Sequence, residues 1–282
     1  MIVGAGTVAL DTVETPEGSV HEAPGGSALY FAAAAARLRP VAIVGVTGED
    51  FPTAPLDGLA ERGVDVSGVL RLPYPTFRWH ARYDGSGNRD VVSVHRGGIV
   101  SMAPVVPPRF RDPEILFLGS TDPVMQGRVL EQAGAPGLVV LDTMPHWILS
   151  RRAELVALLA RVRILLLNED EARLLGGADG EPAAAERIRI LGPAWVVVKR
   201  GSRGACAYGA DGRIEVDAVP VARVVDPTGA GDAFAGGLVV SLAGAGPRRS
   251  IVTPEALRTA SEMGALAVST FSFHGLLGGD DG

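Results

Sequence analysis

The chain has 282 residues, 47% hydrophobic and 21% charged, with 26 Lys and Arg against 32 Asp and Glu for a net charge of −6. That balance suits a globular fold with a sizeable core and excludes a disordered chain; without a basic cluster it also argues against a nucleic-acid partner. A single cysteine, Cys206, allows no internal disulfide and no CxxC site, as expected for a cytoplasmic protein.

The N-terminal "MIVGAGTVALDT" has no basic segment ahead of an apolar core, and no apolar run in the chain nears the roughly 18 to 20 residues of a membrane span. Neither export nor a membrane is expected. "GAGTVA", residues 4–9, matches the GxGxxA of a dinucleotide-binding turn, but such a turn opens a helix. Here threonines, a valine and Pro16 follow, which disfavours a helix and with it NAD binding. The "AAAAA" of residues 32–36, set among Leu29, Tyr30, Phe31 and Leu38, reads as a packed helix.

Further along, "VAIVGV" at 41, "ILFLG" at 115, "LVVLD" at 138, "ILLLN" at 164 and "WVVVK" at 195 read as buried strands. Helix-like stretches separate them: "APLDGLAERG", "PVMQGRVLEQAG", "SRRAELVALLARV" and "PAAAERIRILG". The alternation predicts an α/β fold with a mostly parallel sheet covered on both faces, and such sheets bind ligands beyond the carboxyl ends of their strands. Asp142, Asn168 and Lys199 stand at those ends.

Residues 72–97 break the pattern. They read as two strands joined by "DGSGN" and, with residues 12–24, make a small β-layer outside the main sheet. The sequence leaves open whether this layer is a lid over a site or an edge hairpin. Strand alternation turns either Phe77 and Trp79 or Arg78 inward, while Arg89 and Asp90 read more readily as salt-bridged surface residues. The tail "GLLGGDDG" is expected to fray.

"VDPTGAGDAF", residues 225–234, carries the chemistry. The apolar run after it has helical composition, so Gly229, Ala230 and Gly231 stand where a helix begins. There backbone N–H groups lack intrahelical partners, the macrodipole is positive, and small side chains let a phosphate approach. Asp232 follows in the same turn. By itself it reads as a residue stabilising the helix start, as the base that takes a hydroxyl proton beside a bound phosphate, or as both.

"DPTGAGDAFAGGL" closely resembles the C-terminal motif of the ribokinase-like, or PfkB, carbohydrate kinases. "GGSALYFAAAAARL" at 25, "VGVTGEDF" at 44, "NEDEARLL" at 168 and "VVVKRGSRGA" at 196 fall in the order that family shows, over nearly the whole chain. The resemblance implies one ribokinase-like domain over residues 1–282, a three-layer α/β/α sandwich with a small β-lid, using ATP and Mg²⁺. It makes Asp232 the base, with Gly229, Ala230 and Gly231 as the anion hole. Asn168 and Glu171 fit its NxxE element, which organises magnesium and phosphate; without it, Glu171 would read as a surface residue. Lys199, Arg200, Gly201 and Gly204 match the loop along the ATP phosphates and ribose. With no GxxxxGK[ST] segment, phosphate binding falls to Thr228 and the GAGD turn.

On the acceptor side the resemblance matches Asp11, near the end of the first strand, with Gly25 and Gly26. A carboxylate accepts hydrogen bonds from vicinal hydroxyls, and glycines let the backbone approach a sugar ring. Asp142, Phe77 and Trp79 are further acceptor candidates. Where ribokinases have a GGKGAN-like segment this chain has "GGSALY", which argues against ribose itself. "STFSFHGL", residues 269–276, departs from the family ending near adenine, where Ser272 and Phe273 either line that pocket or end a core helix.

The five histidines lack zinc-site spacing and no GxSxG turn occurs. The expected protein is a cytoplasmic ATP- and Mg²⁺-dependent kinase of a small sugar-like substrate, with a nucleoside kinase or a catalytically silent sugar-binding protein as alternatives. The resemblance also allows a homodimer through the lid.

Overall fold

The apolar runs form the strands expected of them in the computed structural model, which describes residues 1–85, 89–95, 97, 99, 102–244 and 252–278. Residues 86–88 of the "DGSGN" turn and 279–282 of the tail lie outside the described residues.

Among the described residues the larger sheet comprises β1 (Ile2–Ala5), β4 (Val41–Gly48), β5 (Val64–Leu72), β8 (Ile115–Leu118), β9 (Leu138–Asp142), β10 (Ile164–Asn168), β11 (Trp195–Lys199), β12 (Ala205–Gly209) and β13 (Gly212–Val216). Their order is β13-β12-β11-β10-β9-β8-β1-β4-β5, parallel from β11 to β5 and antiparallel only at β12 and β13. Asn168 stands directly opposite Lys199, and Asp142 pairs with Leu166. Three residues far apart in sequence thus share one stretch of the sheet's carboxyl edge.

Strand side chains alternate between two cores. Ile43, Phe117, Val140, Leu166 and Val197 face one layer of helices, namely α1 (Ser27–Ala36), α2 (Ala54–Ala60), α8 (Ala230–Leu242), α9 (Pro254–Ala267) and α10 (His274–Leu277). Val44, Leu116, Leu141, Leu165 and Val198 face the other, α3 (Pro123–Gln132), α4 (Pro145–Ser150), α5 (Arg152–Leu159), α6 (Glu169–Gly176) and α7 (Glu181–Ile190). Each fully buried aliphatic side chain contributes about 1.5–3 kcal/mol. The architecture is the three-layer α/β/α sandwich, and its two filled cores make the carboxyl edge a rigid platform.

The smaller sheet comprises β2 (Ala9–Thr15), β3 (Gly18–Gly25), β6 (Phe77–Tyr83) and β7 (Arg89–His95), in the order β3-β2-β6-β7. It starts earlier than expected, at Ala9, and residue 72 still belongs to β5 of the larger sheet. The chain after "GAG" enters β2 and not a helix, in keeping with the disfavoured dinucleotide turn. Alternation in β6 is resolved: Phe77 and Trp79 line a cavity between the sheets, while Arg78 pairs with Glu22 at 2.6 Å and Asp50 at 2.9 Å. His80 and Arg82 both hold Glu14, each at 2.8 Å. Among the described residues no helix is long and apolar enough to cross a membrane.

Candidate active site

Asp11 lies in β2 of the smaller sheet, the second strand and not the first, because the extended run is interrupted between Ala5 and Ala9. The side chain is buried, and its carboxylate accepts a hydrogen bond from the Gly26 backbone. The neighbouring strand must be bare to admit it, since a Cβ on Gly25 would stand 1.9 Å from Asp11 Oδ2. Burial, then Asp226, push the Asp11 pKa up to about 8; the Gly26 hydrogen bond opposes this and Asp232 adds to it. Gly26 caps α1 with φ 95.

The turn before α8 is built by Asp226, whose Oδ1 accepts from the Thr228 amide at 2.8 Å. Gly229 then adopts φ 75, and a Cβ there would stand 2.2 Å from the Tyr30 ring, so only glycine fits both the backbone and the space. The amides of Gly231 and Asp232 make none of the described backbone hydrogen bonds and remain free for an anion. Asp232, in the first turn of α8, is half-buried. Burial pushes its pKa up to about 7, with Asp142 and Glu171 adding and Lys199 opposing.

At the ends of β9 and β11, Lys199 Nζ lies 2.7 Å from Asp142 Oδ2. Burial works against the Lys199 ammonium, but Asp142 and Glu171 outweigh it and raise its pKa. The same ammonium adjoins the turn before α8, since a Cβ on Gly231 would lie 2.9 Å from Nζ. Asp142, expected as an acceptor contact, thus faces a lysine beside the turn and lines the cavity. Asn168 and Glu171 form a reciprocal cap on α6: the Asn168 amide donates to Glu171 Oε2 at 2.7 Å and the Glu171 amide to Asn168 Oδ1 at 2.8 Å. Glu171 is buried, not a surface residue, and burial first of all raises its pKa to about 7. Arg200 is held by Glu181 and Glu215, whereas Gly201 and Gly204 line the same cavity.

A cavity of about 1320 Å³ runs along the carboxyl edge of the larger sheet, beneath the smaller one. It exceeds the roughly 300–1,000 Å³ of a single small-molecule pocket and has room for two substrates. Its lining includes Asp11, Phe77 and Trp79 of the smaller sheet with Gly26, and Gly201 and Gly204 after β11, Val219 and Gly264 of α9, together with Asp232 and the Asp142–Lys199 pair. Ser272, expected at the nucleotide pocket, stands elsewhere. It does not line the cavity: its amide donates to Asp226 Oδ2 at 3.4 Å and its hydroxyl to Pro24 O, behind the turn. Phe273 is buried edge-on against Tyr30, with ring centroids 5.9 Å apart.

Sequence reasoning missed Tyr30, Asp226 and Tyr83. Tyr83, on β6, meets Thr228 Oγ1 at 3.2 Å and so ties the smaller sheet to the turn. It also set Arg89 aside as a surface residue, yet Arg89 lines the cavity with its guanidinium 5.7 Å from the centroid of the Trp79 ring. The aromatic alternation of β6 was the available signal for Tyr83.

Residues 5–274 match the pfkB family carbohydrate kinases. Over 245 residues the chain is 33% identical to the cytidine kinase of Thermococcus kodakarensis, covering 84% of this chain and 87% of that one. Over 281 residues it is 30% identical to the aminoimidazole riboside kinase of Salmonella typhimurium, covering 94% and 88%. The solved structure of the Burkholderia thailandensis nucleoside kinase in complex with inosine superposes with a TM-score of 0.78 at 23% identity, over 97% of this chain and 92% of that one.

Proposed function

The chain belongs to the pfkB family of carbohydrate kinases, and we propose that it transfers the γ-phosphate of ATP to a hydroxyl of a riboside, with Asp232 as the base. It is a phosphotransferase with an alcohol group as acceptor. The observation that carries the reading is the position of Asp232, at a helix start with free amides, coupled electrostatically to Asp11 on one side and to Asp142, Lys199 and Glu171 on the other.

Asp11 accepts hydrogen bonds from two vicinal hydroxyls of the acceptor, and the bare backbone at Gly25 and Gly26 lets the ring approach. Phe77, Trp79, Ile99 and Met125 supply apolar and aromatic surface in the same cavity, which suits a planar base better than a free sugar. The riboside relatives named above support the same choice. With the diol held, the primary hydroxyl reaches Asp232, which takes its proton as the oxygen attacks phosphorus. The bond from phosphorus to the bridging oxygen breaks and ADP leaves. The Gly231 and Asp232 amides, at the positive end of α8, receive the charge that develops on the phosphoryl oxygens. The smaller sheet acts as a lid that keeps water from competing as nucleophile.

Asp142, Glu171 and Asp232 set three carboxylates against the single ammonium of Lys199. That excess of negative charge fits a divalent cation. Among the described residues no group of three His, Cys, Asp or Glu side chains is placed to hold a metal ion directly, as suits Mg²⁺, which keeps its waters and leans on phosphate. Glu171 and Asn168 would hold it through water, and when bound it supplies charge neutralisation on the phosphates.

The test is ADP release with Mg-ATP across ribosides such as cytidine and inosine, free ribose, other sugars and sugar acids. A riboside is expected to give the highest kcat/KM. A free sugar or sugar acid giving the highest value would overturn the riboside assignment.

A further inference from the structure

Among the described residues four buried side-chain polar atoms have no hydrogen-bond partner: Arg71 Nη2, Ser120 Oγ, Gln126 Oε1 and Thr143 Oγ1. The last three belong to residues that line the cavity. A buried polar atom left unpaired destabilises the fold, so three in one place point to a group that arrives later and pairs with them.

The three residues are neighbours. Ser120 follows Gly119 at the end of β8, Thr143 follows Asp142 at the end of β9, and Gln126 of α3 spans the two, its Nε2 donating to Gly119 O at 2.8 Å and to Asp142 O at 3.0 Å. Those two carbonyls fix which way the amide is turned, since the reverse would set oxygen against oxygen. Oε1 is therefore free, and it can only accept. Gln126 and Thr143 are 2% and 4% exposed, and the Thr143 amide is tied to Asp142 Oδ1 at 2.9 Å. The frame is thus fixed while each hydroxyl proton can turn toward a partner.

The cluster adjoins the residues that take the acceptor diol. A Cβ on Gly119 would stand 2.8 Å from Ser27 Oγ, and Ser27 follows Gly26, whose amide holds the Asp11 carboxylate. Met125, beside Gln126, and Trp147 line the same cavity and offer apolar surface to a ring face. A hydrocarbon edge would leave all three polar atoms unpaired. An edge with an N–H beside a lone pair satisfies them: the N–H donates to Gln126 Oε1, and the lone pairs accept from the Ser120 and Thr143 hydroxyls.

We propose that Ser120, Gln126 and Thr143 form a specificity site that reads the hydrogen-bonding edge of the acceptor's base, so that the substrate is a riboside whose base carries an N–H beside a carbonyl or a ring nitrogen. The inference rests on the riboside reading above.

The experiment compares inosine and cytidine with benzimidazole riboside and phenyl riboside, which keep the rings and lack the edge, in the wild type, Thr143→Val and Ser120→Ala. The wild type should favour inosine or cytidine over its edge-less counterpart by at least about 100-fold in kcat/KM. Each substitution should cut that preference roughly tenfold or more, chiefly through the acceptor KM, with the nucleotide KM unchanged. Without ligand, Thr143→Val should melt no lower than the wild type, because it removes a hydroxyl that has nothing to bond. Three results would overturn the assignment: a wild type indifferent to the edge, a preference that survives both substitutions, or a Thr143→Val melting temperature lower by about 2 °C or more, the mark of a structural water bonded to that hydroxyl in the free protein. Absence of wild-type turnover on any riboside would count against the proposed function instead. Calorimetric titration of the same four ribosides, which needs no turnover, would then read the three residues, with tighter binding of the edge-bearing pair expected and equal affinities or no binding overturning their role.

Discussion

Lys199 Nζ lies 2.7 Å from Asp142 Oδ2, and the two side chains are only 17% and 5% exposed. Removing one partner of a buried pair leaves the other charge without compensation, at a cost of about 3–5 kcal/mol. Lys199→Met should therefore lower the unfolding free energy by about 3 kcal/mol in urea titration, and Lys199→Met with Asp142→Asn should recover part of it. A single variant as stable as the wild type would show that the pair does not support the platform.

Gly25 and Asp11 make a separable prediction. Because a Cβ at residue 25 would occupy the place of Asp11 Oδ2, Gly25→Ala should displace the carboxylate. The acceptor KM should rise by roughly tenfold or more, as expected when a polar contact to a substrate hydroxyl is lost, while the nucleotide KM stays put. An equal rise in both would mean that the substitution disturbs the fold and not the acceptor end alone.

The pH dependence of stability should run opposite to that of activity. Asp11 is raised to about 8, and Asp232 and Glu171 to about 7, from ordinary values of 3.8, 3.8 and 4.5, chiefly by burial. Between those limits the folded protein binds more protons than the unfolded chain, so the unfolding free energy falls as pH rises. The ligand-free protein should melt at a lower temperature at pH 8 than at pH 5, and Asp11→Asn should flatten the slope. Over the same interval kcat/KM should rise and level off above about 7, as Asp232 ionises. A stability maximum at pH 8 would contradict both assignments.

Contiguous features were legible in the sequence. The GAGD turn and the apolar strands each declare themselves within a few residues, because helix starts and buried strands have local rules; the Asn168–Glu171 cap did not, and Glu171 by itself read as a surface residue. Contacts made by register were not. Asp142 and Lys199 are 57 residues apart and meet because β9, β10 and β11 are neighbours, so Asp142 read as a strand-end contact for the acceptor. The place of Arg89 on the cavity wall was hidden for a related reason: the β6–β7 register shifts between His80 and Ala81, and a bulge removes the parity by which inward and outward residues are told apart. Ser272 failed differently. Its loop turns behind Asp226, and no pattern in "STFSFHGL" signals that turn.

The most direct measurement is single-turnover phosphoryl transfer from Mg-ATP to the best riboside acceptor by the wild type and Asp232→Asn, with acceptor binding measured alongside. The variant should bind the acceptor as the wild type does and transfer phosphate about 100- to 10,000-fold more slowly. Transfer slowed by less than roughly tenfold, with binding intact, would remove Asp232 as the base.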